Sequence, residues 1–367
     1  MRVLVTAVRS ACARWRLLLC GAVFVVPVHL IPPPAPASTV PLGFYVGAAE
    51  PTWLGEVASG TGTLPGLAED FLPSGQGWAG ISQESRIGWL LNAWQGTSYQ
   101  LVLGVPMIPT AADGKAVGTL ATGARGSYDI FYRTLARNLV AHGEGNAVLR
   151  LGWEFNGNWY AWSVRNPIEA TEYAAYFRQI VRTMRTVSHN FRFVWNLSNG
   201  SGAAYDFTSA YPGNGYVDFI GDDVYDESCA TVPTPQGAWS TLLTDTAGLD
   251  WVSGFAAAHH KALAIPEWGI DSGTTGGCAG LGDQPSFVVQ MAEWLTAHDA
   301  AFSIYFDVNA PDGSHKLGDR SFPRALAAFQ GAFGTTLLQQ VIHPAQRPVI
   351  TSARWSRPSS DHGRDHR

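Results

Sequence analysis

The feature that most restricts what this chain can fold into is a rhythm. From about residue 40 to residue 334, short runs rich in β-branched and aromatic residues alternate with amphipathic stretches whose apolar residues recur at helical spacing. Such alternation specifies parallel strands joined by crossover helices, because a parallel pair needs a connection long enough to return the chain to the same end of the sheet. Strand-like runs fall at 43–47, 66–72, 100–106, 147–152, 191–196, 217–221, 261–266 and 301–306. Eight of them with helices between fit an α/β fold closed into a (β/α)8 TIM barrel better than an open doubly wound sheet, since no dinucleotide fingerprint opens the domain. The segment GQGWAG at 75–80 matches G-x-G-x-x-G by letter, but Trp78 would crowd a pyrophosphate and no acidic residue follows about 20 positions on. A chain of 367 residues is long for one domain, yet barrels of roughly 250 residues fold as one, so a single domain over 40–334 is expected.

The clearest helix spans 167–187, where Tyr173, Tyr176, Phe177, Ile180, Met184 and Val187 form one apolar stripe. Asn166 suits the N-cap, Pro167 the first helical position, and Glu169 completes a capping box. Further helices are expected at 127–142, 250–260, 286–298 and 322–330. An apolar fraction of 46% supplies a full core, while 14% charged residues and 40 Gly point to many folded loops. The chain also carries 14 Trp, whose indole faces stack on the apolar C–H faces of sugar rings, although most are expected simply to fill the core. A net charge of −5 leaves no basic footprint for nucleic acid or an anionic membrane.

At the N-terminus, Arg2, Arg9, Arg14 and Arg16 lead into an apolar run at 17–31 and then PPPAPAS, with Ala35 and Ala37 in an A-x-A-like arrangement. That is the layout of a signal peptide, 1–37, cleaved near Ala37, and makes the mature chain secreted and free of the membrane. A membrane anchor is the alternative, but the run is short for a span and Pro27 and His29 interrupt it. Export leaves Cys229 and Cys278 as the only cysteines of the mature chain, in an oxidising compartment, and a disulfide between them is expected. After residue 334 the chain turns polar and basic, and 335–367 is expected to be a disordered tail.

In a barrel, chemistry gathers at the C-terminal ends of the strands. Two glutamates follow strand-like runs directly: AVLRLG at 147–152 leads into Trp153, Glu154, Phe155 and Asn156, and KALAIP at 261–266 leads into Glu267, Trp268 and Gly269. A glutamate framed by Trp and Phe is desolvated, which raises its pKa, and a raised pKa is what a general acid requires. Glycoside hydrolysis needs one such acid and one ionised carboxylate, roughly 5–5.5 Å apart in retaining enzymes. Strands four and seven lie on opposite sides of a barrel mouth, so the two carboxylates can face each other across a sugar.

These residues resemble glycoside hydrolase family 26, the β-mannanase-like members of a clan of barrel hydrolases, over about residues 43–330. The strongest piece is RLGWEFNGNWYAW at 150–162, similar to the family's pattern of Arg, three residues, Glu, then Asn-Gly and an aromatic run. The resemblance implies Glu154 as acid/base with Arg150 as its supporting cation, Asn156 beside it, Trp159 and Trp162 as aromatic subsite walls, and Glu267 in PEWG as nucleophile. YVDFIGDDVYDE at 216–227 looks like strand six and its loop, where Tyr225 fits a family tyrosine that orients the nucleophile. The family usually has His where this chain has Trp153, so the residue that helps hold the sugar differs. A retaining, endo-acting hydrolase of β-1,4-mannan or a related β-glycan is implied, acting as a monomer without cofactor or metal.

Each of these residues also has a structural reading. Glu154 and Glu267 could form a buried ion pair with Arg150. Tyr225 could be core. Asp222 and Asp223 could hold sugar hydroxyls, bind calcium or cap a loop, with the cap favoured. Asn196, closing strand five, could contact substrate; Trp268 could wall the site or support the nucleophile's loop; Tyr305 reads as core rather than wall. No G-x-S-x-G or H-E-x-x-H occurs, and the adjacent His259 and His260 read as surface residues rather than metal ligands. Two other classes compete: a non-catalytic glycan-binding barrel, and an exo-acting or transglycosylating enzyme working on a cell-surface glycan.

Overall fold

A computed structural model describes residues 38–335 apart from 202–204, 276–277 and 312. The expected signal peptide and nearly all of the C-terminal tail lie outside the described residues. Eight strands close into the expected barrel: β1 Leu42–Tyr45, β2 Leu67–Phe71, β3 Gln100–Val105, β4 Val148–Leu151, β5 Arg192–Ser198, β6 Phe219–Tyr225, β7 Ala262–Gly269 and β8 Ser303–Phe306. All neighbouring pairs are parallel, and β8 pairs back onto β1 through Leu42↔Ser303 to Tyr45↔Phe306. The eight runs marked in the sequence each overlap one of these strands.

Three strands run further than the sequence suggested, β5 by two residues to Ser198 and two others past charged residues. β6 continues through Asp222 and Asp223 to Tyr225, and β7 continues through Glu267 and Trp268 to Gly269. Their extensions pair with each other, Asp223↔Glu267 and Val224↔Trp268, after a register shift between Gly221 and Asp223. Charged residues ordinarily end a buried strand; here the buried Arg150 donates to Asp223 and Glu267, and Asn199 donates to Asp222. Asp222 and Asp223 therefore do not cap a loop.

The helix expected at 167–187 forms over Pro167–Arg185, with Asn166 Oδ1 accepting from the amides of Ile168 and Glu169. Glu169 closes the motif one residue early, accepting from the Arg165 amide at 2.7 Å rather than from Asn166. Helices also form at Pro51–Thr61, Glu84–Trp94 and Pro235–Thr244, where internal glycines weaken the helical pattern.

The interior divides in two. Successive strand residues face opposite sides, so Ala68, Leu103, Leu149 and Trp195 pack outward with the helices, while Leu67, Val102, Val148, Val194, Phe219, Ala264 and Ile304 fill the barrel as a separate apolar cluster. Two residues further along the inward faces stand Glu69, Arg150 and Asn196, all fully buried. The barrel thus has an apolar floor and a charged upper layer. Gly104 keeps that layer open, because a Cβ there would lie 2.3 Å from the Phe71 ring.

Beyond β6 and β7, Glu227–Ser228, Thr274–Thr275 and Cys278–Gly280 form a small antiparallel sheet. Cys229 and Cys278 are joined by the expected disulfide, tying together the chain segments that follow Tyr225 and Glu267.

Candidate active site

Arg150 organises the upper layer. Its guanidinium is fully buried and donates from Nε to Asn196 Oδ1 at 2.8 Å, from Nη2 to Asp223 Oδ2 at 2.5 Å, and from Nη1 both to Glu69 Oε1 and to Glu267 Oε2, the last at 3.0 Å. One cation so fixed positions carboxylates from β2, β6 and β7 at once, with planar donor geometry that lysine could not supply. Glu267 completes its shell with Tyr225, whose hydroxyl donates to Oε1 at 2.5 Å. Both oxygens of Glu267 therefore accept strong donors, and its side chain is still 10% exposed toward the mouth.

Glu154 is presented differently. It stands three residues past the end of β4 in a left-handed backbone conformation, φ 52°, following Gly152 at φ 54°. A non-glycine residue pays on the order of 1 kcal/mol for that conformation, and the surroundings hold it there: the Glu154 amide donates to Asn196 O at 3.1 Å. Its Oε2 accepts from Trp159 Nε1 at 2.9 Å. Burial, followed by the nearby charge of Glu267, raises the Glu154 carboxyl above the ordinary carboxylate range, with the Trp159 bond and Arg150 opposing. A carboxylate oxygen from each of Glu154, Asp223 and Glu267 lies within 4.8 Å of the others. Three acids at that spacing could hold a cation, but the Arg150 guanidinium already donates to two of them and supplies the positive charge there.

The other residues singled out in the sequence sort by burial. Trp159 is 53% exposed and is free to offer a face to a sugar. Trp162, three residues on, is 1% exposed, stacks on Tyr160 and donates to the Trp153 carbonyl, so it supports the loop from below and is not a subsite wall. Trp153 is 5% exposed and wedged against Phe71, Tyr160 and Trp162, its Nε1 bonded to the Tyr160 hydroxyl. Asn156 binds backbone at both ends, donating to Ser198 O and accepting from Ser198 N, which pins the β4 loop to β5. Asn196 is likewise committed, to Arg150 and to Leu197 O, and does not reach a substrate. Trp268 points outward, fully buried against Tyr305, Phe329 and Phe333, supporting β7 and not walling the site. Tyr305 is core, its hydroxyl donating to His315 O. Asp222 accepts from Asn199 Nδ2 at 2.9 Å behind the site. His259 packs on Tyr211 and Phe255 and meets Asn214 Oδ1 at 2.9 Å, a structural role.

Several participants escaped the sequence reading. Glu69 is the chief one; its only signal is an acid inside the strand-like run GLAEDFL at 66–72. Half-buried Tyr45, Phe71 and Phe306 form an aromatic frame at the ends of β1, β2 and β8: Tyr45 stacks on Phe306 at 5.0 Å and meets Phe71 edge-on at 5.0 Å. Phe306 in turn abuts Tyr225 at 5.9 Å, and Phe71 lies under the Arg150 guanidinium at 5.5 Å.

Comparison with known proteins agrees with this fold. Residues 138–242, which include the WEFNG motif, match the model of glycosyl hydrolase family 26, as the sequence motif suggested. The chain is 30% identical over 147 residues to a mannan endo-1,4-beta-mannosidase of Bifidobacterium adolescentis, and 28% identical over 229 residues to endoglucanase H of Acetivibrio thermocellus. These alignments take in 39% and 57% of this chain but only 14% and 22% of the much longer relatives. Among solved structures, a modular endo-beta-1,4-mannanase from Cellulomonas fimi matches with a TM-score of 0.56 at 19% identity, over 81% of this chain and 74% of that one. A mannanase from Bacillus subtilis matches with a TM-score of 0.53 at 16% identity, over 80% and 85%. At such identities the likeness carries the (β/α)8 fold.

Proposed function

We propose that this chain is a secreted retaining glycoside hydrolase that cleaves a β-linked polysaccharide, mannan or a related β-glycan, by double displacement. The observation that carries the reading is the pair Glu154 and Glu267, with carboxylate oxygens within 4.8 Å, opposite in their surroundings. That spacing matches the roughly 5–5.5 Å of retaining enzymes and falls short of the roughly 6.5–9.5 Å at which inverting enzymes fit a water beside the sugar. Burial raises the Glu154 carboxyl and so favours the protonated acid; Glu267 is aimed by Arg150 and Tyr225. In the first step a Glu267 oxygen bonds to the anomeric carbon while the glycosidic C–O bond breaks and the Glu154 proton passes to the leaving oxygen. In the second, Glu154, now a carboxylate, takes a proton from water as its oxygen attacks the anomeric carbon and Glu267 departs.

The substrate follows from less. The names of the two curated relatives favour β-1,4-mannan first and glucan second. Trp159 supplies an exposed stacking face beside the acid, where a leaving-group sugar would lie. Release of reducing ends by the full chain, assayed on mannan, mixed-linkage glucan and xylan, tests the activity. Loss of release in Glu267→Ala with partial return on adding azide supports the assignment, and a fully active Glu267→Ala protein overturns it.

A further inference from the structure

Arg150 Nη1 serves two masters, Glu69 Oε1 and Glu267 Oε2, and only the second faces the mouth. Glu69 has no exposed surface, so it cannot touch a substrate. The charged groups facing it are Arg150 from β4, Glu267 from β7, its neighbour Asp70 on β2, and the Tyr45 hydroxyl from β1. Asp70 is already fully engaged, by the amides of Ala49 and Phe71 and by Trp94 Nε1. Glu69 is not: its Oε2 finds no hydrogen-bond partner among the described residues.

Building on the hydrolase reading above, we propose that Glu69 is a positioning residue for the nucleophile: it takes one N–H of Arg150 Nη1 while Glu267 takes the other, and by competing for the cation's charge it sets how strongly Arg150 restrains Glu267. The double displacement gives this competition a purpose. In the free enzyme Glu267 must be anionic yet reactive, and a guanidinium given wholly to it would stabilise the anion and blunt its attack. In the glycosyl-enzyme Glu267 is an ester and loses its charge, and Glu69 then keeps Arg150 in place. When Glu267 leaves, the returning guanidinium stabilises the departing carboxylate. The two steps therefore respond to Glu69 with opposite sign.

Burial raises the Glu69 carboxyl above the ordinary carboxylate range, with Arg150 opposing and Glu267 adding to the rise. Glu69→Gln fixes the uncharged form at every pH. On a slow-leaving substrate such as mannopentaose, where glycosylation limits, kcat/KM of the wild type over the variant is expected to approach one at acid pH and to climb to roughly tenfold as pH rises. On 2,4-dinitrophenyl β-mannobioside, where deglycosylation limits, kcat of the variant is expected to equal or exceed the wild type. A ratio that is constant with pH, or equal losses on both substrates, would mean a merely structural role and would overturn the proposal. Should Glu69→Gln fail to fold, Glu69→Asp, which keeps the charge but withdraws it from Nη1, is expected to show the same split, and equal losses there would overturn it too. A wild type inert on both substrates and on their gluco- and xylo-configured counterparts would overturn the hydrolase reading itself, whereas a wild type active on any of these pairs with no split overturns the role of Glu69 alone.

Discussion

The floor of the barrel and its mouth are built on the same strands and obey opposite rules. Leu67, Val148 and Val194 fill the floor with close-packed apolar side chains; two residues along the same faces, Glu69, Arg150 and Asn196 hold a fully buried polar and charged layer. The floor stabilises by excluding water and is indifferent to which apolar groups do so. The mouth spends stability, since several carboxylates share one guanidinium, and its energetic return is the placement of Glu267 and Glu154. The floor anchors β7, which carries Glu267, while Glu154, beyond the end of β4, is held to β5 through its amide bond to Asn196 O.

The sharpest break in this contrast is Glu267→Ala, which should lower turnover by a factor on the order of 10⁴ or more while the melting temperature stays near that of the wild type. Steady-state kinetics beside a thermal melt check both halves. Arg150→Met should fail in both respects: it strips the buried Glu69 and Asp223 of their cation, costing on the order of 3–5 kcal/mol in denaturant unfolding. Phe219→Ala on the floor should do the reverse of Glu267→Ala, losing about 3–5 kcal/mol of stability with kcat changed little at temperatures where the protein remains folded.

What the sequence revealed follows the same division. The floor was legible because β-branched runs at regular spacing have one physical meaning, and Glu154 and Glu267 were legible because aromatic residues frame them at strand ends. Glu69 was not, since an acid inside a strand ordinarily marks a solvent-facing edge and only the long-range contact with Arg150 reverses that meaning. The continuation of β6 through Asp222 and Asp223 was hidden for the same reason. Trp159 and Trp162 carry identical local signals, and only the path of the loop turns one to solvent and the other beneath Trp153.

Smaller effects sharpen the picture of the mouth. Reducing the Cys229–Cys278 bridge, which spans 49 positions, should cost about 4 kcal/mol in the chain-entropy estimate, less wherever the small sheet holds its own segments together. A thermal melt with and without reductant measures it. Asp226, beyond β6, is buried with Oδ2 unpartnered among the described residues; burial and then Asp271 push its carboxyl up to about 7. A folded-state value above the unfolded one favours the fold at low pH, and that contribution is lost as pH rises through about 7. Asp226→Asn should therefore stabilise at pH 8 relative to wild type, by on the order of 1–3 kcal/mol, with little gain at pH 4 in urea titrations. Smallest is Trp159→Phe. Its indole bond lowers the Glu154 carboxyl, so losing it should move the basic limb of the pH–rate profile upward by about half a unit.

The central claim, that Glu154 and Glu267 stand at the separation of a retaining enzyme, is tested most directly by proton NMR of the products in the first minutes of hydrolysis. Two displacements at the anomeric carbon should release a new reducing end in the β configuration, which then mutarotates toward the equilibrium mixture. A reducing end that appears first as the α anomer would show a single displacement and contradict the account.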